Sequence, residues 1–125
     1  MSFSADISRF IGKTEKSAEQ AVRRISLDLL SRVVLKSPVD TGRFRANWYA
    51  SINYASNQVS TSVDKSGADS IRRGGSAINS YKLGDAAIYL TNNLPYAYRL
   101  ETGYSKQAPT GMARLSVMEI ASKYK

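Results

Sequence analysis

The chain contains no cysteine and no histidine. Without cysteine, disulfide scaffolds, thiolate metal sites and thiol catalysis are excluded. Without histidine, the commonest general base and the commonest metal ligand are missing as well. Long hydrophobic runs are also absent: apolar residues make up 42% of the 125 positions but are dispersed. No stretch approaches the roughly 20 consecutive apolar residues of a membrane span, so a soluble chain with no membrane partner is expected. Its start, Met-Ser-Phe-Ser-Ala-Asp-Ile, has no basic region followed by an apolar run, and no secretory signal is expected. Acidic residues are few and scattered singly, 10 against 18 basic ones, for a net charge of +8. The basic excess raises the expectation of contact with a polyanion, but it is spread too evenly to form a nucleic-acid arm.

What is present reads as a single domain over residues 1–125 with one core. From Phe3 to about Leu35, apolar residues recur in steps of three and four through Ile7, Phe10, Ala18, Val22, Ile25, Leu29 and Val33. That spacing predicts one long amphipathic helix, or two nearly collinear ones broken near Gly12. At roughly 45–50 Å such a helix exceeds a compact domain of this size, so part of it is expected against a neighbour or solvent. Pro38 ends it, and Val39-Asp40-Thr41-Gly42 predicts a turn in which Asp40 accepts from backbone and Gly42 takes positive φ. Phe44 to Tyr54 alternates as a strand, although its first residues can also form a helical turn. Val59, Thr61 and Val63 predict a second strand in a hairpin. Residues 64–84, with Gly67, Gly74, Gly75 and Gly84, offer little to bury and predict a flexible insertion with Arg72 and Arg73 near its tip. Ala86–Thr91 predicts the last strand, and Gly111–Tyr124 a closing helix. The fold class expected is α+β, a long N-terminal helix and a C-terminal helix packed on a small, mainly antiparallel sheet.

Between that strand and the closing helix lies Asn92–Met112, which cannot be one regular element. Pro95 forces Leu94 towards extended geometry, Gly103 suits a left-handed stop after a short helical turn, and Pro109 blocks continuation. Tyr96, Tyr98 and Tyr104 with Arg99, Glu101 and Lys106 give it the aromatic and arginine character of an interface core with a charged rim. Nothing in the chain supplies a carboxylate pair or a phosphate cradle; Gly74-Gly75-Ser76 lacks the lysine and spacing of a phosphate loop. Lys106, Tyr104 and Glu101 are the remaining types for catalysis, and the expectation is a protein without enzymatic activity or cofactor.

Three segments carry a resemblance. Ser37-Pro-Val-Asp-Thr-Gly-Arg-Phe-Arg-Ala-Asn-Trp48 is followed by Ile88-Tyr-Leu-Thr-Asn-Asn-Leu-Pro-Tyr-Ala97, then by Leu100-Glu-Thr-Gly-Tyr-Ser-Lys-Gln-Ala-Pro109 with Gly111-Met112. This ordered set resembles the neck or tail-completion proteins of long-tailed bacteriophages, those related to the lambdoid minor tail protein Z. The resemblance covers essentially the whole chain except residues 64–84. It implies a structural virion protein that assembles as a ring, about six copies by tail symmetry, at the head-proximal end of the tail and helps join tail to head. Implied partners are its own copies, a tail-tube or tail-terminator protein, and a head-side connector; DNA passes through the lumen. The location would be the virion neck, and the host cytoplasm during assembly. Interface residues expected on this basis are Asp40, Thr41, Gly42, Arg43, Asn93, Pro95, Tyr96, Tyr98, Arg99, Glu101, Gly103, Tyr104 and Lys106, with Arg72 and Arg73 as DNA-lumen contacts. Other readings of single residues stay open: Asp40 as turn and cap, Glu101 paired with Arg99 or Arg43. The alternative function is a small basic nucleic-acid-binding module using the 64–84 loop and tyrosine stacking.

Overall fold

The computed structural model describes residues 3–6, 15–103, 105–108 and 111–124. Its elements run β1 (Phe3–Asp6), α1 (Glu15–Lys36), α2 (Arg43–Ala46), β2 (Trp48–Ile52), α3 (Ala68–Asn79), β3 (Ile88–Asn92), α4 (Ala97–Glu101) and α5 (Ala113–Lys123). The strands form one antiparallel sheet in the order β1-β3-β2. The chain is thus α+β with a small sheet, as its pattern predicts. Among the described residues no helix is long and apolar enough to cross a membrane.

In the sheet, Trp48, Ala50 and Ile52 lie opposite Asn92, Leu90 and Ile88, so one face of both strands turns inward. Against it lies the α1 stripe that the spacing predicts from Ala18 onward: Val22, Ile25, Leu29, Leu30, Val33 and Val34 are all buried. Leu94, Met112 and Ile120 complete the core. α1 packs against α3 on one side and α5 on the other. The α5 seam is ionic at its edge. Asp28 receives Arg32, Lys123 and the Tyr124 hydroxyl at 2.8–2.9 Å, and Glu119 pairs with Arg32 and Lys36 at 2.8 and 2.9 Å. Burial pushes the Asp28 carboxyl up, but the hydrogen bonds from Lys123, Arg32 and Tyr124 outweigh it and hold the pKa at about 2.

Four expectations are corrected. The first helix does not begin at Phe3: residues 3–6 are a strand, residues 7–14 lie outside the described set, and α1 spans 22 residues. At about 33 Å it is no longer too long for its domain, so helix length carries no argument for a neighbour. For Phe3 the long-range ladder to β3 outweighs its helical spacing. Second, Phe44 to Ala46 lie in a short helix, the alternative left open, and the strand begins at Trp48. Third, residues 59–63 form no hairpin strand. Fourth, the 64–84 segment is no flexible excursion, because it contains the 12-residue α3.

α3 forms despite two internal glycines because one face is buried and its first turn is capped. Ser70, Gly74 and Ile78 point inward, and Gly74 lies against Leu30 so closely that a Cβ would collide with it. The Asp64 carboxylate accepts from the Gly67 and Ser70 amides at 3.1 and 2.8 Å and from the Ser70 hydroxyl at 2.9 Å. Arg73 then fixes the helix to the sheet: its guanidinium donates to the carbonyls of Ala46 and Trp48 at 3.0 and 2.7 Å and lies over the Tyr49 ring.

Candidate functional site

The turn after α1 is built first. The Arg45 guanidinium donates to the carbonyls of Leu35, Ser37 and Lys65 at 2.9–3.0 Å, which closes the end of α1. The Trp48 indole N–H donates to the Ser37 hydroxyl at 2.8 Å. Gly42 has φ of 88°, and its carbonyl accepts from Asp64 at 2.9 Å. A Cβ there would lie 2.8 Å from the Lys65 amide, so no other residue fits. Thr41, not Asp40, supplies the local backbone bond, accepting from the Arg43 amide at 3.3 Å.

The tyrosine-rich loop faces that turn. Leu94 is fully buried, Pro95 is exposed, and the short α4 ends at Gly103 with φ of 92°, the predicted stop. Between the two segments lies a groove of about 630 Å³. One wall is Pro38–Phe44, and the other is Tyr96, Arg99, Leu100, Ser105 and Gln107. The Gln107 side chain accepts from the Val39 amide at 2.8 Å and ties the walls together. The floor is aromatic: the rings of Phe44 and Tyr96 meet at 5.9 Å, and Phe44 in turn meets Trp48, outside the lining, edge-on at 6.0 Å. This row runs from buried Trp48 to Tyr96, which is 37% exposed.

Six of the expected interface residues therefore converge on the groove: Asp40, Thr41, Gly42 and Arg43 from one side, Tyr96 and Arg99 from the other. The rest do not. Asn93 donates to the carbonyls of Ser56 and Gln58 at 2.7 and 3.2 Å. Tyr98, Pro95 and Lys106 are exposed beside the groove and Gly103 is half-buried, all outside its lining, and Tyr104 falls outside the described residues. Glu101 is reassigned: its carboxylate accepts from the amides of Met112, Ala113 and Arg114 at 2.9–3.0 Å, capping α5 across the loop. These three bonds give Glu101 an internal role. The placement of Arg72 and Arg73 at a loop tip is corrected too. Arg73 is committed to the sheet, and Arg72, on a helix and not a loop tip, pairs with Asp69.

Sequence reasoning missed Arg45, Phe44 as floor, and Gln107 as the strut. Arg45 carried a readable signal, an arginine shortly after a helix end; Gln107 carried none. Chemically, the groove offers an apolar floor, one carboxylate from Asp40 and two guanidinium groups from Arg43 and Arg99. Arg43 also donates to the Ser60 carbonyl at 3.2 Å. Among the described residues no group of three or more acidic side chains could hold a metal ion. Such an arrangement is suited to gripping a surface.

No family model, curated protein or solved structure matches this chain.

Proposed function

We propose that this chain is a non-enzymatic structural component of a bacteriophage virion. It forms a ring at the head-proximal end of the tail and takes part in tail completion and head–tail joining. The observation that carries the reading is the groove. The Pro38–Phe44 and Tyr96–Leu100 segments, which hold the sequence resemblance though more than fifty residues apart in the chain, meet there in an apolar floor rimmed by arginine. Aromatic and arginine side chains at the centre of a concave patch are the residues that dominate protein–protein contact energies. Its occupants are its own copies, a tail-tube or tail-terminator protein, and a head-side connector. The net charge of +8 supplies non-specific attraction for DNA passing the lumen, with Arg72 and Arg73 playing no dedicated part.

Light scattering at low and high salt tests the ring. A discrete species of about six copies, on the order of 82 kDa at 13.7 kDa per chain, is expected. Tyr96→Ala removes the exposed end of the aromatic row and is expected to weaken assembly by about tenfold or more. A parent that is monomeric at both salts, together with a Tyr96→Ala variant that joins heads to tails as well as the parent, would overturn the reading.

A further inference from the structure

We propose that residues 57–63 are a preformed edge strand that adds to the open β1 edge of a second copy of this chain. The proposal rests on the ring reading above and names one contact within it. Along this stretch the backbone alternates between two fates. The carbonyls of Ser56 and Gln58 accept from Asn93, the Ser60 carbonyl accepts from Arg43 and Asn47, and the Ser60 amide donates to Asn47 at 2.8 Å. Side chains from elsewhere in the subunit thus hold the even-numbered residues Ser56, Gln58 and Ser60, while the Ser62 amide donates to the Ser60 hydroxyl. The odd-numbered ones, Asn57, Val59, Thr61 and Val63, have no backbone hydrogen bond to any described residue, and all are exposed. One set of backbone groups along this segment is pegged to the subunit, and the other, on exposed residues, has no hydrogen-bond partner among the described residues.

The residue types fit pairing. Val59, Thr61 and Val63 are β-branched at period two. Tyr54 to Val63 contains no charge, glycine or proline, whereas exposed edges are ordinarily blunted by lysine or proline. Copies that each carry +8 repel, and they approach at least cost where the surface is uncharged; that points to a second copy as the occupant. The acceptor follows from the sheet. β2 lies at one end, where α3 packs on it and Arg73 takes the Trp48 carbonyl. β1 lies at the other end, and among the described residues only β3 pairs with it. Donor strand and acceptor edge are different surfaces of one chain, so the contact is head-to-tail and repeats until it closes.

Two variants read it. Thr61→Pro removes an amide that has no partner inside the subunit, so the circular dichroism and melting temperature should be unchanged while self-association weakens at least tenfold. Because the chain is free of cysteine, a Thr61→Cys copy mixed with an Ala5→Cys copy and treated with a short bis-maleimide should give a cross-linked dimer that neither variant gives alone. Efficient dimer from Thr61→Cys alone would mean strand 57–63 pairs with itself, and overturns the β1 acceptor. An oligomer that Thr61→Pro leaves intact and that yields no mixed dimer overturns this contact but leaves the ring standing on others. A parent that stays monomeric and never cross-links removes both.

Discussion

Residues 54–63 and helix α3 are neighbours in the chain and satisfy their backbones in opposite ways. α3 bonds within itself, takes its cap from nearby Asp64, and buries Ile78 and Gly74 against α1. The preceding stretch borrows side chains from Asn47, Arg43 and Asn93 and leaves its outer edge to solvent. A self-sufficient element that packs into the core contributes to global stability. A borrowed one contributes little apolar burial, so its integrity is a local property. Disturbing the first should unfold the protein; disturbing the second should alter what the folded protein can touch.

The largest effect is expected from Gly74→Val, which drives a branched side chain into Leu30 on α1. Overpacking of this kind should destabilise by about 2–3 kcal/mol, read as a lower urea midpoint. Asp64→Ala removes the cap of α3 and should cost about 1–2 kcal/mol. The same group gives a pH dependence. Burial pushes the Asp64 carboxyl up, but the donors on Ser70, Gly67 and Ser66 hold it below the usual carboxylate range. A folded-state pKa below the unfolded one means its contribution is present above about pH 4 and is lost as pH falls through the folded value. The Asn47 side chain that holds the Ser60 amide is an uncharged carboxamide, so acid should fray α3 while the Ser60 amide stays protected, as amide NMR signals can report. Smallest is Asn47→Ala. It should cost about 1 kcal/mol and raise hydrogen exchange at Ser60 with little change in melting temperature. Were it to unfold the protein as readily as Gly74→Val, the distinction between the two regions would fail.

Much of the helical frame was legible because its signals are local: amphipathic spacing gives the α1 stripe from Ala18 and α5, and glycine's freedom at positive φ gives the stop at Gly103. The errors fall where distant partners decide. Phe3–Asp6 became a strand because β3 needed an edge partner. α3 was hidden by Gly74 and Gly75, each unfavourable in a helix by about 1 kcal/mol, and only the close approach to Leu30 explains Gly74. Val59–Val63 has the residue types of a strand, but no strand among the described residues pairs with it. At the site, both groove walls were singled out from residue types, yet their meeting depends on the register that sets Trp48 opposite Asn92. Glu101 was misjudged because the amides it binds lie 11–13 residues on, a reach no local pattern encodes.

The Glu101 clamp makes the groove wall part of a rigid linkage. Leu100 and Arg99 belong to the one short helix that ends in Glu101, and three amides fasten that carboxylate to the head of α5. From there the Asp28 and Glu119 bridges reach α1. A pull on the groove is therefore carried through hydrogen bonds and ion pairs into α5 and on to α1.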